Sequence, residues 1–314
     1  MTVSLKLSVI IATKDREQAL AECLESIKIQ SELPEAIIII DASDNEKTAL
    51  VAKNILENSA IKLIYKKSKP GLTYQRNLGI KNSKNDLLLF LDDDVVLDPH
   101  YIKEIKRPFC DDKTEIVGGV TGRIKPGKPK SLVSILIRKL FCLSEPARGE
   151  VKKSFANNSI HPRYVDKTFE VEWLSGCNQC YRKKVFREFK FDENMASYAY
   201  MEDVDFSYRV RKKYKLMFTP LARLVHNVQI SNDTRLKKRE KQRMFMVNLK
   251  YLFRKNLPQT FVFKFCHYWS YIGYVVRGLL LERNFDFTLG TLQGIWINIS
   301  GQNPLIKKLK KDLK

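Results

Sequence analysis

Apolar and polar positions along the chain follow two alternating periods. Leu7–Ala12, Ala36–Ile40 and Ile61–Tyr65 are short apolar runs with little polar alternation, which predicts strands covered on both faces. Between the first two, Leu20, Cys23, Leu24 and Ile27 recur at helical spacing until Pro34 stops the pattern, and a second helix is expected over Thr48–Glu57. Strand, helix and strand at this spacing form crossover units, whose strands run parallel with right-handed connections. Thr13 and Asp41, which close the first two strands, are thereby gathered at one sheet edge.

A further uninterrupted apolar run is Leu87–Leu91, inside DLLLFLDDDVVLDP, and it stops on Asp92, Asp93 and Asp94. Open α/β sheets place their ligands at the carboxyl ends of strands. Three adjacent carboxylates repel one another unless a cation or donor network holds them; a hard divalent ion such as Mg²⁺ or Mn²⁺ would do so, and a solvated acidic turn is the competing reading. Just upstream, GLTYQRNLGIKN predicts a loop entering a helix near Thr73, with Arg76 close to its start. That suits a phosphate contact, or a wet helix face.

After Pro99 the pattern predicts a helix and a strand at Ile116–Val120. A basic, proline-punctuated stretch from Arg123 to Lys167 follows, long enough to cover a site. Its amphipathic piece Leu132–Leu143 suits a helix over a cleft or on a membrane. Trp173 then precedes a turn at Ser175 and Gly176, where glycine permits close approach to a ligand or a tight bend. YAYMEDVDFSYRVRKKY places Glu202, Asp203 and Asp205 at a helix start, where the helix dipole alone favours acids. A short strand is expected at Leu216–Pro220, and ARLVHNVQI carries His226, a residue more often structural than ligating.

From Asn232 onward the composition turns basic. Phe265, Trp269, Ile272, Val276 and Leu280 fall at helical spacing, while Lys264, His267 and Arg277 interrupt the run. An amphipathic helix is therefore expected in preference to a spanning one, with core packing as the competing explanation. The tail PLIKKLKKDLK sets Ile306, Leu309 and Leu313 among lysines, a pattern that suits an anionic membrane surface or a frayed terminus. The 314 residues, 44% hydrophobic, can build a full core, and the net charge of +21 calls for a polyanionic neighbour. Six scattered cysteines and no basic-then-apolar leader predict reduced thiols in a cytoplasmic protein.

SVIIATKDR, IIIIDAS, GLTYQRNLGIKNSKNDLLLFLDDDVVLDPHYI and WLSG…YRKKVF…FDENM…YMEDVDFSYRV together resemble family 2 glycosyltransferases of the GT-A type, over about two-thirds of the chain. The resemblance implies an α/β fold, a mixed, mainly parallel sheet flanked by helices. The expected domain spans 5–230, with a nucleotide-sugar half at 5–120 and an acceptor half at 121–230, followed by a basic helical appendage at 231–314. It further implies that Thr13, Asp41, Arg76, Asp92 and Asp93 bind the nucleotide-sugar, and that Asp92 and Asp94, with His226, hold a divalent Mn²⁺ or Mg²⁺. Asp203 is the implied general base and Glu202 its neighbour, with Trp173 and Gly176 on the acceptor side.

The implied reaction is inverting transfer from a nucleotide-diphospho-sugar donor to a glycan or lipid-linked acceptor, in polysaccharide or glycolipid assembly; the basic carboxyl-terminal segment adds the expectation of peripheral contact with the cytoplasmic face of an anionic membrane. DASDN departs from the relatives' usual pair of acids after the second strand, which leaves the nucleobase open. The chain has Gln242, Arg243 and Met244 where processive synthases carry QxxRW, which argues against a processive polymerase. A nucleic-acid-binding protein and an inactive membrane-associated scaffold are the alternatives. The first lacks a recognition motif among its basic residues, so no nucleic acid is expected; the second leaves Asp92, Asp94 and Asp203 without a task.

Overall fold

The protein is described from a computed structural model covering residues 5–125, 131–160, 166–195, 199–227 and 237–312. The chain divides into two compact units. The first comprises Met1–Pro126, Arg163–Tyr198 and Glu202–Arg235; the second comprises Gly127–Pro162, Ala199–Met201 and Leu236–Lys314. The stretch Arg123–Lys167 is thus divided between them, and the expected boundary at residues 230–231 lies outside the described residues.

In the first unit the alternating periods become β1 (Leu7–Thr13), α1 (Glu17–Lys28), β2 (Ala36–Asp41), α2 (Lys47–Leu56), β3 (Lys62–Lys67), α3 (Leu72–Asn82) and β4 (Leu87–Asp92). Every residue of β2 is buried, as are Leu87–Leu91 of β4, because helices cover both sheet faces. Helix α1 buries Leu20, Cys23, Leu24 and Ile27, the stripe that its spacing predicts. Strands β3, β2, β1 and β4 lie side by side and parallel, with Thr13 opposite Asp41 and Ala12 opposite Asp92. The ends of three strands therefore share one edge.

The chain continues through β5 (Val95–Leu97), α4 (Tyr101–Asp111) and β6 (Val117–Ile124), and later through β9 (Phe169–Val171), β10 (Asn178–Arg182), a 3₁₀ turn at Lys183–Arg187, α6 (Glu202–Val210) and β11 (Lys215–His226). Strand β10 joins β4 and β6 antiparallel, and β11 runs parallel to β6 and antiparallel to β5 and β9. The sheet is mixed, as expected. The separate pieces expected at 216–220 and 222–230 are one strand as far as His226, and residues 228–230 lie outside the described residues. Pro220 sits within the register shift between Phe218 and Arg223, where a residue without an N–H costs the ladder nothing.

The second unit contains α5 (Leu132–Leu140), a small ladder of β7 (Pro146–Ala147) and β8 (Ser159–Ile160), then α7 (Lys238–Asn256), α8 (Phe261–Val276), a π turn (Arg277–Leu281), α9 (Phe285–Ile299) and α10 (Pro304–Asp312). Ser131 caps α5 by accepting from Ser134 N at 3.2 Å, and Asn284 caps α9 by accepting from Phe287 N at 2.9 Å. Helix α9 packs on α7 through small buried residues, among them Gly290, Thr291 and Gly294.

Candidate active site

The acidic turn after β4 is held by residues distant in sequence. Thr13 Oγ1 donates to Asp93 Oδ2 at 2.7 Å, and Arg16, from the loop after β1, binds Asp93 with one guanidinium nitrogen and Asp94 Oδ2 with the other at 2.7 Å. Asp93 and Asp94 are buried, whereas Asp92 keeps about a third of its side chain exposed. Burial pushes Asp93 up to about 7 against the pull of Arg16 and Thr13. Asp94 is held down at about 2, because His226 and Arg16 outweigh its burial.

His226 reaches this turn because β11 pairs antiparallel with β5, the strand that leaves the turn; His226 stands opposite Val95, and Asn227 N donates to Asp94 O at 2.8 Å. Its Nε2 lies 2.9 Å from Asp94 Oδ1 and 3.9 Å from Asp92 Oδ2. Despite burial, Asp94 and Cys177 push this imidazole up to about 10. One ligand atom from each of Asp92, Asp94 and His226 falls within 4.8 Å of the other two. Two carboxylate oxygens and an imidazole nitrogen, converging at a partly open edge, fit a hard divalent ion that keeps further positions for an oxygen ligand.

A second acidic pair stands at the start of α6. Asp203 Oδ2 accepts from Gly176 N and Oδ1 from Val204 N, both at 2.8 Å. Glu202 is bound through Oε1 by Arg76 Nη1, and its Oε2 is buried with no hydrogen-bond partner among the described residues. Burial pushes Glu202 up to about 8 and also raises Asp203, against the Gly176 hydrogen bond. Gly176 allows this closeness, since a Cβ there would lie 3.1 Å from Asp203 Oδ2 and 3.2 Å from Glu202 Oε1. The two acidic groups are joined by Arg76, which is buried and not on a wet face. Its Nη2 donates to Gly176 O at 2.8 Å and lies 3.3 Å from Asp92 Oδ1.

At the end of β2, Asp41 is fully buried, with both oxygens engaged inside the protein. Ser43 N and Oγ donate to Oδ1, while Tyr65 OH and Lys67 Nζ, the latter at 3.1 Å, donate to Oδ2. These donors, Ser43 foremost, hold Asp41 below the usual carboxylate range despite its burial. Trp173 lies half-buried three residues before Gly176. Sequence reasoning missed Arg16, Ser43, Tyr65 and Lys67. Lys67 had a signal, because equal-length parallel strands set it opposite Asp41; Arg16 had none beyond its place in the loop after β1.

The family model for glycosyl transferase family 2 matches residues 8–189. Among curated proteins, the chain is 26% identical over 186 residues to the O-antigen chain rhamnosyltransferase RfbN of Salmonella typhimurium, covering 59% of this chain and 54% of that protein. It is 31% identical over 103 residues to the uncharacterized glycosyltransferase YwdF of Bacillus subtilis, covering 33% and 38% respectively. The chain thus spans about half or less of the length of these relatives. In fold it is similar to the mannosyltransferase PcManGT from Pyrobaculum calidifontis in complex with GDP-Man and Mn²⁺, at a TM-score of 0.59 and 11% identity over 95% of this chain and 88% of that one. S. aureus TarS in complex with UDP superposes at a TM-score of 0.54 and 16% identity, covering 89% and 74%.

Proposed function

The chain belongs to glycosyl transferase family 2, and on that premise we propose that it transfers a sugar from a nucleotide-diphospho-sugar donor to an acceptor hydroxyl, with inversion at the anomeric carbon. The observation that carries this reading is Arg76, bonded at once to Glu202 of the helix-start pair and near Asp92 of the acidic turn, which ties a donor-side and an acceptor-side carboxylate into one buried unit. Asp92, Asp94 and His226 would hold Mn²⁺ or Mg²⁺. Bound there, the ion would offset charge that develops on the leaving diphosphate.

Asp203, raised by burial and oriented by Gly176 N, accepts the acceptor's hydroxyl proton as that oxygen attacks, while Glu202 and Arg76 fix its surroundings. Thr13 and Arg16 position the turn through Asp93. Asp41, with Lys67 and Tyr65, builds the nucleoside end, and Trp173 and Gly176 face the acceptor side. The relative named as an O-antigen chain rhamnosyltransferase supports a glycan or lipid-linked acceptor in surface polysaccharide or glycolipid assembly. A peripheral position on the cytoplasmic face of an anionic membrane belongs to the same proposal.

The test is the thermal midpoint of the protein against nucleoside diphosphates and nucleotide-sugars, with and without Mn²⁺ or Mg²⁺. One base should raise the midpoint only with metal, and Asp94→Ala should abolish that rise. Asp203→Asn should keep the rise and lose transfer. Folded protein that responds to no nucleotide refutes the proposal.

A further inference from the structure

Three helices of the second unit turn large apolar side chains outward. Helix α8 buries His267, Ser270, Tyr271, Gly273 and Tyr274, while Phe261, Phe265, Tyr268 and Ile272 face outward, Phe261 at 82% exposure. Helix α5 buries only the charged Arg138 and exposes Leu132 (84%), Val133, Leu136 and Leu140. Arg138 is satisfied inside by Ser134 Oγ and Ser144 O, each at 3.1 Å, and His267 by Ser154 O and Tyr271 OH. Helix α9 buries Phe287 beside Thr288 and Thr291 and exposes Leu292, Trp296 and Ile299. A water-facing helix carries the opposite pattern.

The outward faces of α5 and α8 adjoin. Trp269 Nε1 donates to Leu140 O at 2.9 Å and its ring stacks on Phe141 at 5.1 Å; from Trp269 the rings of Phe265 and Phe261 continue in a stacked row along α8. Leu279 and Leu280 of the π turn are exposed as well. Basic groups accompany the aromatic ones. Lys139 and Lys264 are exposed on the two helices, and Lys153 lies over the Phe263 ring. The second unit's sequence holds 23 Lys and Arg against 6 Asp and Glu, so it carries +17 of the chain's +21.

We infer that the outward face of α5 and α8 is an interfacial docking surface for an anionic lipid bilayer. Exposed aromatic and aliphatic side chains bordered by lysine match the acyl–headgroup boundary of such a membrane. The charge argues against a second copy, which would bring another +17 to the contact, and a polyanion such as nucleic acid leaves the leucines and phenylalanines in water. No helix among the described residues is long and apolar enough to cross a membrane, so the contact is peripheral. The inference gives the membrane part of the proposed function a surface and owes nothing to its chemistry.

The experiment is co-sedimentation of the full chain with vesicles of phosphatidylglycerol and phosphatidylcholine, or of phosphatidylcholine alone, without donor or acceptor, so that its failure leaves the transferase reading standing. The protein should pellet with the anionic vesicles and release as salt rises. Leu136→Glu/Phe265→Glu should weaken binding ~10-fold or more, given that each side chain gains free energy on leaving water. Ile29→Glu/Leu50→Glu, at exposed apolar positions of the first unit, should leave it unchanged. Circular dichroism checks folding, and Leu136→Ser/Phe265→Ser serves if the acidic pair unfolds. Failure to pellet, binding indifferent to the α5–α8 substitutions, equal loss in both pairs, or a wild-type dimer that those substitutions dissociate would each overturn the inference.

Discussion

Arg76 is the residue whose removal says most about the site. Arg76→Met leaves Glu202 buried without its cation and Gly176 O without its donor, and it takes the charge away from Asp92. Removing one partner of a buried pair costs about 3–5 kcal/mol. Glu202 is pushed up to about 8 by burial even beside the guanidinium, so without it the carboxyl avoids an uncompensated charge by keeping its proton. The loss should therefore fall near the lower end, about 3 kcal/mol. Glu202→Gln alone keeps an acceptor for Arg76 and should cost about 1 kcal/mol. In the double variant the orphaned carboxyl is gone, and the two losses should fall short of their sum by about 1–3 kcal/mol. Urea unfolding of the four proteins at neutral pH, followed by circular dichroism, measures this cycle. Losses that add within about 0.5 kcal/mol would mean that the two residues do not interact, and the link between the acidic turn and the α6 pair would go with them.

Three other perturbations test separate parts of the structure. In Gly176→Ala the new methyl lies 3.1 Å from Asp203 Oδ2, so the proposed base must move by a few tenths of an ångström; transfer should fall by roughly tenfold with donor binding retained, in a steady-state assay. Gly79→Ala brings a methyl within 2.4 Å of Ile10 Cγ2 where α3 meets β1, and the thermal midpoint should report a loss of about 1–3 kcal/mol. His267 is buried against Phe253 and held down to about 3 by desolvation and then by Lys250, from an ordinary value of 6.5. Between those values the unfolded chain binds the extra proton, so the stability this group contributes is whole above pH 6.5 and is lost as pH falls, at up to about 1.4 kcal/mol per pH unit. Wild type should lose more stability than His267→Phe between pH 7 and pH 5 in urea titrations; equal losses would contradict the assignment.

The early strands, the helix carrying Arg76, the acidic turn and the α6 start were legible because each is a local pattern: an apolar run has one secondary structure to adopt, and the crossover rule aligns the strand ends. Those two rules are enough to bring Thr13, Asp41 and Asp92 to a common edge. They do not say which side chain reaches across it. Arg16 bridging Asp93 and Asp94, Lys67 on Asp41, and Arg76 turned inward between Asp92 and Glu202 depend on loop paths and on contacts made across the sheet. His226 meets the acidic turn only because β11 is one continuous strand paired with β5, a pairing 131 residues apart in the chain at Val95 and His226.

The carboxyl-terminal helices mark the other limit. Periodicity divided α8 into two faces and left open whether the apolar stripe packs on a core. The structure turns Phe261 and Phe265 outward and seats His267 and Ser270, with Tyr271 and Tyr274, within the unit. A hydrophobic period fixes that two faces exist; what each one meets is set by neighbours far along the chain, here Ser154 to receive His267 and Ser144 to receive Arg138. Sequence determined the elements and their faces, and tertiary structure decided which face is the interior, because burial is a property of the packed partner and not of the helix itself.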